Sequence, residues 1–554
     1  MNIYKKILSI VAAGLATASV SSCLGDLDTI PLNPQDTTSE TAYGADEAGY
    51  IQGLTKLYFQ FISNDTRDLK ISDGGASELI RAFWSTQETT TDEAKCAWEN
   101  DAWVRALNTN TWTEAQNDAV YAVYVRTLQG IAYINEYLRQ TEPDRLEKRG
   151  VSDEVAAKIA GFRAEARFLR AYFYWMALDT FGDVPFTTEK SPFGGGYNPN
   201  QAPRADVFNF CINELRELAA DDSAMPAARS NYPRADKGAV NGLLARMCLN
   251  AEVYTGNQMW QEAKQACETI FGMGYDLAPT YAELFRGDNS ENPDALKEII
   301  FAASYDAERS QSYGGTSYLT LAAIAATDVS AASMPNGVNN GWAGIRTPFE
   351  FVQKYFNARN ADYTTGTYDC TDERGKMFYI KGRKESMDNA LYVFLNGWSC
   401  LKFNNIPHDE TDEGYLETST IKAYSDIDMP LIRLGEIYLI YTEACMNLGQ
   451  LNTAKPYVEK LAKRAGVSAP EVIDVDFLIA ERARELMWEG HRRTDLIRYG
   501  KFHSADFLWT YKGGSFHGQA FADYMDIFAI PLTELASNTD LHQNPGYPVS
   551  GATE

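Results

Sequence analysis

The sequence predicts a mostly α-helical protein: a regular helical scaffold with long irregular loops and a few short strands that together form a ligand-binding face. Two observations carry this. First, apolar residues recur at helical spacing in 116–139, 159–180, 205–220, 236–254, 258–272, 433–448, 452–465 and 474–490. Second, Gly-, Asn- and aromatic-rich stretches at 63–115, 183–203, 275–430 and 499–530 separate them. These are too long and too aromatic for plain linkers, and long irregular segments on a regular scaffold usually carry function. The reading is a single domain over 41–554, with the scaffold mainly in 116–272 and 431–500 and the binding loops mainly in 63–115 and 275–430.

Taken in order, the chain begins with "MNIYKKILSIVAAGLATASVSSC", in which Lys5 and Lys6 precede an apolar run from Ile7 to Val20. The run is shorter than the roughly 20 residues a bilayer-spanning helix needs, so it reads as an export signal over 1–22 rather than a permanent span. "SVSSC" looks like a lipobox, which makes Cys23 the site of lipid attachment and 23–40 a tether to the membrane. Several acyl chains would anchor stably where one would not.

The remaining cysteines, 96, 211, 248, 267, 370, 400 and 445, are odd in number, scattered and free of CxxC pairs. They read as small core residues, not as a disulfide framework or zinc site. The formal charge is −25, and losing a leader with two lysines and no acid makes the chain still more negative. That disfavours a polyanion, so no nucleic-acid partner is expected. A neutral ligand fits better, and aromatic residues, 12% of the chain, are abundant in the loop-like segments.

Within the scaffold, "GLLARMCLNAEVYTGNQMWQEAKQACETI" (242–270) alternates small Ala245, Ala251, Ala263 and Ala266 with Leu249, Tyr254, Trp260 and Ile270. That is the pattern of two closely packed antiparallel helices of tetratricopeptide type. "RLGEIYLIYTEACMNLGQLNTAKPYVEKLAKRAG" (433–466) repeats it with Ala444, Ala454, Tyr457 and Leu461. The scaffold is therefore expected to be a tetratricopeptide-like stack.

The segment "ERARELMWEGHRRTDLIRYG" (481–500) is dense in charge. Glu481, Glu485 and Glu489 at i, i+4 and i+8 are expected on one helix face, beside Ile479, Ala483, Leu486 and Met487. Arg482, Arg484, Arg492 and Arg493 are the expected i+3 and i+4 partners. A glycosidase needs two carboxylates about 5–9.5 Å apart across a bond, one of them kept protonated. Carboxylates among guanidinium groups stay ionised, so a structural brace is the reading. GxSxG, HExxH and P-loop patterns are absent, and His408, His491, His503, His517 and His542 have no catalytic spacing. No catalytic residue is assigned and the chain is not expected to be an enzyme.

"AEARFLRAYFYWMALDTFGDVPF" (164–186), "RADKGAVNGLLARMCLNAEVYTG" (234–256), "MPLIRLGEIYLIYTEACMNLG" (429–449), the 481–500 segment and "FAIPLTELASNTDLHQNPGY" (528–547) resemble, in order, the signature blocks of the SusD/RagB family. The resemblance implies a non-enzymatic outer-membrane lipoprotein, lipid-anchored and facing the cell surface. Such a protein captures nutrients for a SusC-like TonB-dependent barrel. It is nearest to the starch-binding members, extending into "CAWEN" (96–100), "SYGGTSYL" (312–319) and "NNGWAGI" (339–345).

By that resemblance, Trp98, Tyr313 and Trp342 would cup an α-glucan, starch or a malto-oligosaccharide, with Asp73 and Arg81 as polar contacts. A further amide contact would fall at Asp101 by direct spacing or at Asn100 after a slip of one. Sugar C–H faces pack on aromatic plates while hydroxyls need placed donors and acceptors. No cofactor is required, but the resemblance also implies a structural calcium near "RGDNSEN" (286–292) and "SDIDMP" (425–430), at Asp426 and Asp428, with Ser290 where an aspartate would be expected. The same residues also read as a solvated acidic turn. Alternatives are another glycan or a peptide as cargo, or a surface glycosidase using a carboxylate such as Glu485.

Overall fold

A computed structural model of the protein describes residues 42–548 except 65–68, 70, 72–73, 193, 195, 330–334, 389, 412–413 and 416–421. Cys23 and Asp73 lie outside the described residues. The helices that matter here are α1 (Glu47–Tyr58), α2 (Leu79–Glu88), α3 (Ala102–Thr109), α4 (Asp118–Gln140), α5 (Asp153–Phe181), α6 (Arg204–Ala219), α7 (Lys237–Leu249) and α8 (Trp260–Phe271). They are followed by α9 (Gly315–Ala323), α10 (Phe349–Phe356), α11 (Leu434–Asn447), α12 (Lys455–Arg464), α13 (Val475–Glu485) and α14 (Arg492–Arg498). Among the described residues the strands pair only in two-stranded ladders, and no helix is long and apolar enough to cross a membrane.

The fold is mostly helical, as the sequence predicts. Three of the scaffold helices begin where a side chain satisfies their first N–H groups: Asn117 caps α4, Ser152 caps α5 and Asp236 accepts from Gly238 and Ala239 at the head of α7. The chain leaves α5 at Gly182, whose φ of 73° suits glycine. Helices α4 to α8 then pack each against the next, and α8 packs on α11 although some 160 residues intervene. Helix α12 continues the row against α11. The seams close tightly because Ala239, Ala245, Ala251, Ala263, Ala266 and Ala444 are all buried at them. The insertion between α8 and α11 is tied back by β2 (Ile299–Ala303), which pairs antiparallel with β4 (Met429–Arg433) at its far end. All seven cysteines from Cys96 onward are free, and six are buried.

Two expectations change. The segments 63–115 and 275–430 are not wholly irregular, since they contain α2, α3, α9 and α10. No helix is expected from the sequence at α2, all ten of whose residues are buried. The helix expected over 474–490 stops at Glu485. Beyond it Trp488 adopts φ 64°, a costly conformation for a bulky residue. Trp488 is held there by its N–H donating to Glu93 at 2.8 Å and its carbonyl accepting Trp84 Nε1 at 3.0 Å.

The acidic residues of this region nevertheless converge. Arg433 donates to Glu485 Oε1 (2.7 Å), to both oxygens of Glu489 (2.7 Å each) and to Glu298 (2.9 Å). Arg374 reaches Glu481 (2.7 Å), Glu485 (2.8 Å) and both oxygens of Asp372, while Arg464 pairs with Glu298 and Glu485. Lys402 donates to Glu489 at 2.6 Å. The partners are thus mostly far away in sequence. Of the neighbouring arginines, Arg484 does pair with Glu481 at i+3, but Arg482 turns to Asp495 and Arg492 clamps Asp92. Burial alone would raise Glu485, but the guanidinium groups of Arg464, Arg433 and Arg374 outweigh it and hold the carboxyl well below the usual range. Glu481 and Glu489 are lowered in the same way.

Two outcomes follow from this cluster. Glu485→Ala leaves three buried guanidinium groups short of an anion and should destabilise the fold by about 3–5 kcal/mol, read from the urea midpoint. Because the three glutamates are depressed, their stabilisation is present above the unfolded value of about 4.3 and is lost as pH falls through the folded values.

Candidate functional site

The candidate site is a wall of aromatic rings assembled from the first and second loop regions. A two-residue strand, β1 (Lys95–Cys96), pairs antiparallel with β3 (Ile345–Arg346), Cys96 opposite Ile345. Continuing that register brings Trp98, just after β1, beside Trp342, just before β3. Their ring centroids are 6.5 Å apart with planes at 57°. Tyr313 closes on Trp342 at 5.3 Å and 65°. The rings are therefore facets of a curved wall, and the structure brings together the three aromatic residues singled out in the sequence. Tyr313 is 45% exposed, while Trp98 and Trp342 are half-buried.

Each ring has a specific support. Asn108 imitates a strand partner for Cys96, accepting its N–H at 2.9 Å and donating to its carbonyl at 2.7 Å. Lys95 is fully buried, its ammonium donating to the carbonyls of Thr89, Thr91 and Asn108 at 2.8–3.0 Å, so that α2, β1 and α3 are joined at one point. Burial pushes that ammonium down to about 7. The ring of Trp98 lies on the backbone of Gly344, where a Cβ would stand 2.3 Å from the indole. Trp342 is fixed by its N–H donating to Leu321 O at 2.8 Å.

The Tyr313 loop is held from behind by the start of α2. Glu78, fully buried, accepts N–H bonds from Arg81 (2.7 Å) and Gly315 (2.9 Å) and the Tyr305 hydroxyl. Gly314 permits this approach, since a Cβ there would sit 2.6 Å from the Glu78 carboxyl. Arg81 is 2% exposed; its guanidinium lies 4.0 Å over the Tyr318 ring and donates to Tyr313 O at 3.2 Å. The structure thus places Arg81 behind the rings, where it positions Tyr313. Burial pushes the Glu78 carboxyl up to about 7 against its hydrogen bonds. Apart from the local bond between Arg81 N–H and Glu78, these contacts were not legible in sequence, because they run to positions more than 220 residues away.

Asn100 is exposed and Asp101 half-exposed next to Trp98, with Asp101 heading α3 without a side-chain cap bond. The calcium candidates have other partners. Asp428 accepts from the Tyr232 hydroxyl (2.8 Å) and Tyr305 N–H (2.9 Å), and Asp426 pairs with Lys422 (2.9 Å) and accepts Ala307 N–H (3.1 Å). Donors aimed at these oxygens, one of them an ammonium, do not make the oxygen cage of a calcium site with Ser290. The ligand-type atoms that do gather within 4.8 Å among the described residues are those of Asp288, His408 and Asp409. There His408 and Asp288 are paired with each other.

Glu485, the carboxylate considered for a glycosidase, is fully buried and ionised. It can neither reach a substrate nor donate a proton.

Over 98% of its length the chain is 32% identical to the starch-binding protein SusD of Bacteroides thetaiotaomicron, covering 99% of that protein. This chain belongs to the SusD family. The family model described as "SusD family" matches residues 297–547, and the model "Starch-binding associating with outer membrane" matches 74–249. Among solved structures, a SusD superfamily protein from Parabacteroides distasonis superposes with a TM-score of 0.66 at 18% identity, over 92% of this chain and 100% of that one. Surface glycan-binding protein A from B. thetaiotaomicron, solved with laminarihexaose, gives 0.66 at 17% identity, over 90% and 99%. At those identities the match concerns the SusD fold.

The Glu78 clamp is testable by pH. Its folded value of about 7 lies above the unfolded value of about 4.3, so the folded state holds a proton that the unfolded state has lost between them. Stability from this group therefore falls as pH rises through that window and is level above it. Glu78→Gln should gain stability relative to wild type between about pH 5 and about pH 7.5 in urea titrations. A constant difference would mean the carboxyl is not raised.

Proposed function

We propose that this protein is a cell-surface glycan-binding lipoprotein that captures starch or malto-oligosaccharides and passes them to a SusC-like TonB-dependent transporter. The observation that carries the reading is the contiguous wall of Trp98, Trp342 and Tyr313. Rings inclined at 57° and 65° suit a ligand that curves, as an α-1,4-linked glucan does, better than the flat ribbon of a β-1,4-linked chain. The rings supply faces for sugar C–H groups, and Asn100, Asp101 and Asp73 supply edge contacts for hydroxyls. Arg81 contributes by fixing Tyr313. The likeness to the starch-binding protein SusD supports the same cargo.

In this account Cys23 carries the lipid and the chain lies on the outer face of the outer membrane. Binding would concentrate oligosaccharide above the barrel, and a hinge movement of this protein about the rim would admit it. The protein works by binding and has no catalytic residue. A second cargo, a β-glucan of laminarin type, is favoured by one observation: a structure of the same fold was solved with laminarihexaose.

Calorimetric titration of the soluble form, residues 24–554, with maltoheptaose and with a β-1,3-linked heptasaccharide decides between them. The expected outcome is binding of the α-linked ligand alone, weakened at least about tenfold by Trp98→Ala or Trp342→Ala with the fold retained. Binding of only the β-linked ligand would replace the cargo, and binding of neither would remove glucan altogether.

A further inference from the structure

The row of rings does not end at Tyr313. Tyr424 packs against it with a centroid separation of 5.0 Å and planes at 36°, so that Trp98, Trp342, Tyr313 and Tyr424 follow one another at 6.5, 5.3 and 5.0 Å. The two tyrosine side chains also share a hydrogen bond, the leading cause of the raised Tyr424 hydroxyl pKa. Tyr424 is half-exposed.

The backbone on either side of Tyr424 is fixed to other segments. Lys422 O accepts Asn339 N–H at 3.1 Å, Ser425 N donates to Ser317 Oγ at 2.9 Å and Asp426 N donates to Asn405 Oδ1 at 2.7 Å. The Lys422–Asp426 ion pair flanks it with a donor and an acceptor that are both partly open to solvent. An aromatic side chain held open by this much hydrogen bonding is already in a binding conformation, so little freedom is lost when a ligand arrives.

Resting on the glycan-binding reading above, we propose that Tyr424 is a fourth sugar platform, an additional subsite that a longer α-glucan reaches past Tyr313. A pyranose ring would lie on the Tyr424 face, with its hydroxyls toward Lys422 and Asp426. Short ligands occupy the Trp98–Trp342–Tyr313 wall alone, and the site gains affinity with chain length through Tyr424.

The test compares maltotriose and maltoheptaose on wild type, Tyr424→Ala and Tyr424→Phe, with thermal unfolding as a control for folding. Tyr424→Ala should weaken maltoheptaose about fivefold while leaving maltotriose within about twofold, and Tyr424→Phe, which keeps the ring, should retain most of the affinity for the longer ligand. Equal losses for both ligands would show that Tyr424 only props Tyr313, and no loss for either would show that it touches no sugar; each overturns the subsite. Failure of the wild type to bind either ligand would instead overturn the glucan reading itself.

Discussion

The structure depends on the buried junction at Arg433 and Glu485. Removing ions from water costs several kcal/mol each, about as much as many folds hold in reserve, so the junction is stable only because nearly every oxygen and guanidinium edge is matched. Lys402, Arg374, Arg433, Arg464 and Arg484 face Asp372, Glu298, Glu481, Glu485 and Glu489. These ten groups carry no net formal charge. Glu298, Asp372, Arg374 and Lys402 belong to the long insertion, whereas Arg433, Arg464 and the glutamates of 481–489 belong to the scaffold. The junction therefore fastens the loops that build the ligand face to the scaffold helices.

A second, smaller set of buried polar groups transmits that rigidity to the aromatic wall. Glu88 accepts the N–H groups of Gly490 and His491, and Glu93 accepts that of Trp488, which ties α2 and the chain after it to the turn that follows α13. From α2 the order passes to Lys95 and Asn108 under Trp98, and to Glu78 and Arg81 under Tyr313. Weak sugar contacts gain most from such preparation, because a ring already in place spends none of the binding energy on ordering itself.

How much of this could be read in the sequence follows from where each signal resides. The scaffold helices were legible because apolar and small residues recur along them at helical spacing over long uninterrupted stretches. Helix α2 was not, because the Gly-, Asn- and aromatic-rich sequence around Leu79 to Glu88 marked the whole of 63–115 as loop. The brace role of the 481–500 segment was legible from its mixture of charges, but its true partners Arg374, Arg433 and Arg464 were not, since no local pattern records contacts across 21 to 111 residues. The end of α13 at Glu485 was hidden for a related reason: Trp488 takes a left-handed conformation only because Glu93 and Trp84 hold it. Trp98, Tyr313 and Trp342 were found through family resemblance. Tyr424, a single tyrosine in an irregular segment, carried no signal until its ring was seen against Tyr313.

The central claim is that the wall of Trp98, Trp342 and Tyr313 is the surface on which an α-glucan rests. A crystal structure of the soluble form grown with maltoheptaose tests it most directly. The account expects sugar rings lying against those three side chains, with the junction around Arg433 and Glu485 unchanged from the ligand-free protein. Sugar bound on another face, with the three rings bare, would contradict it.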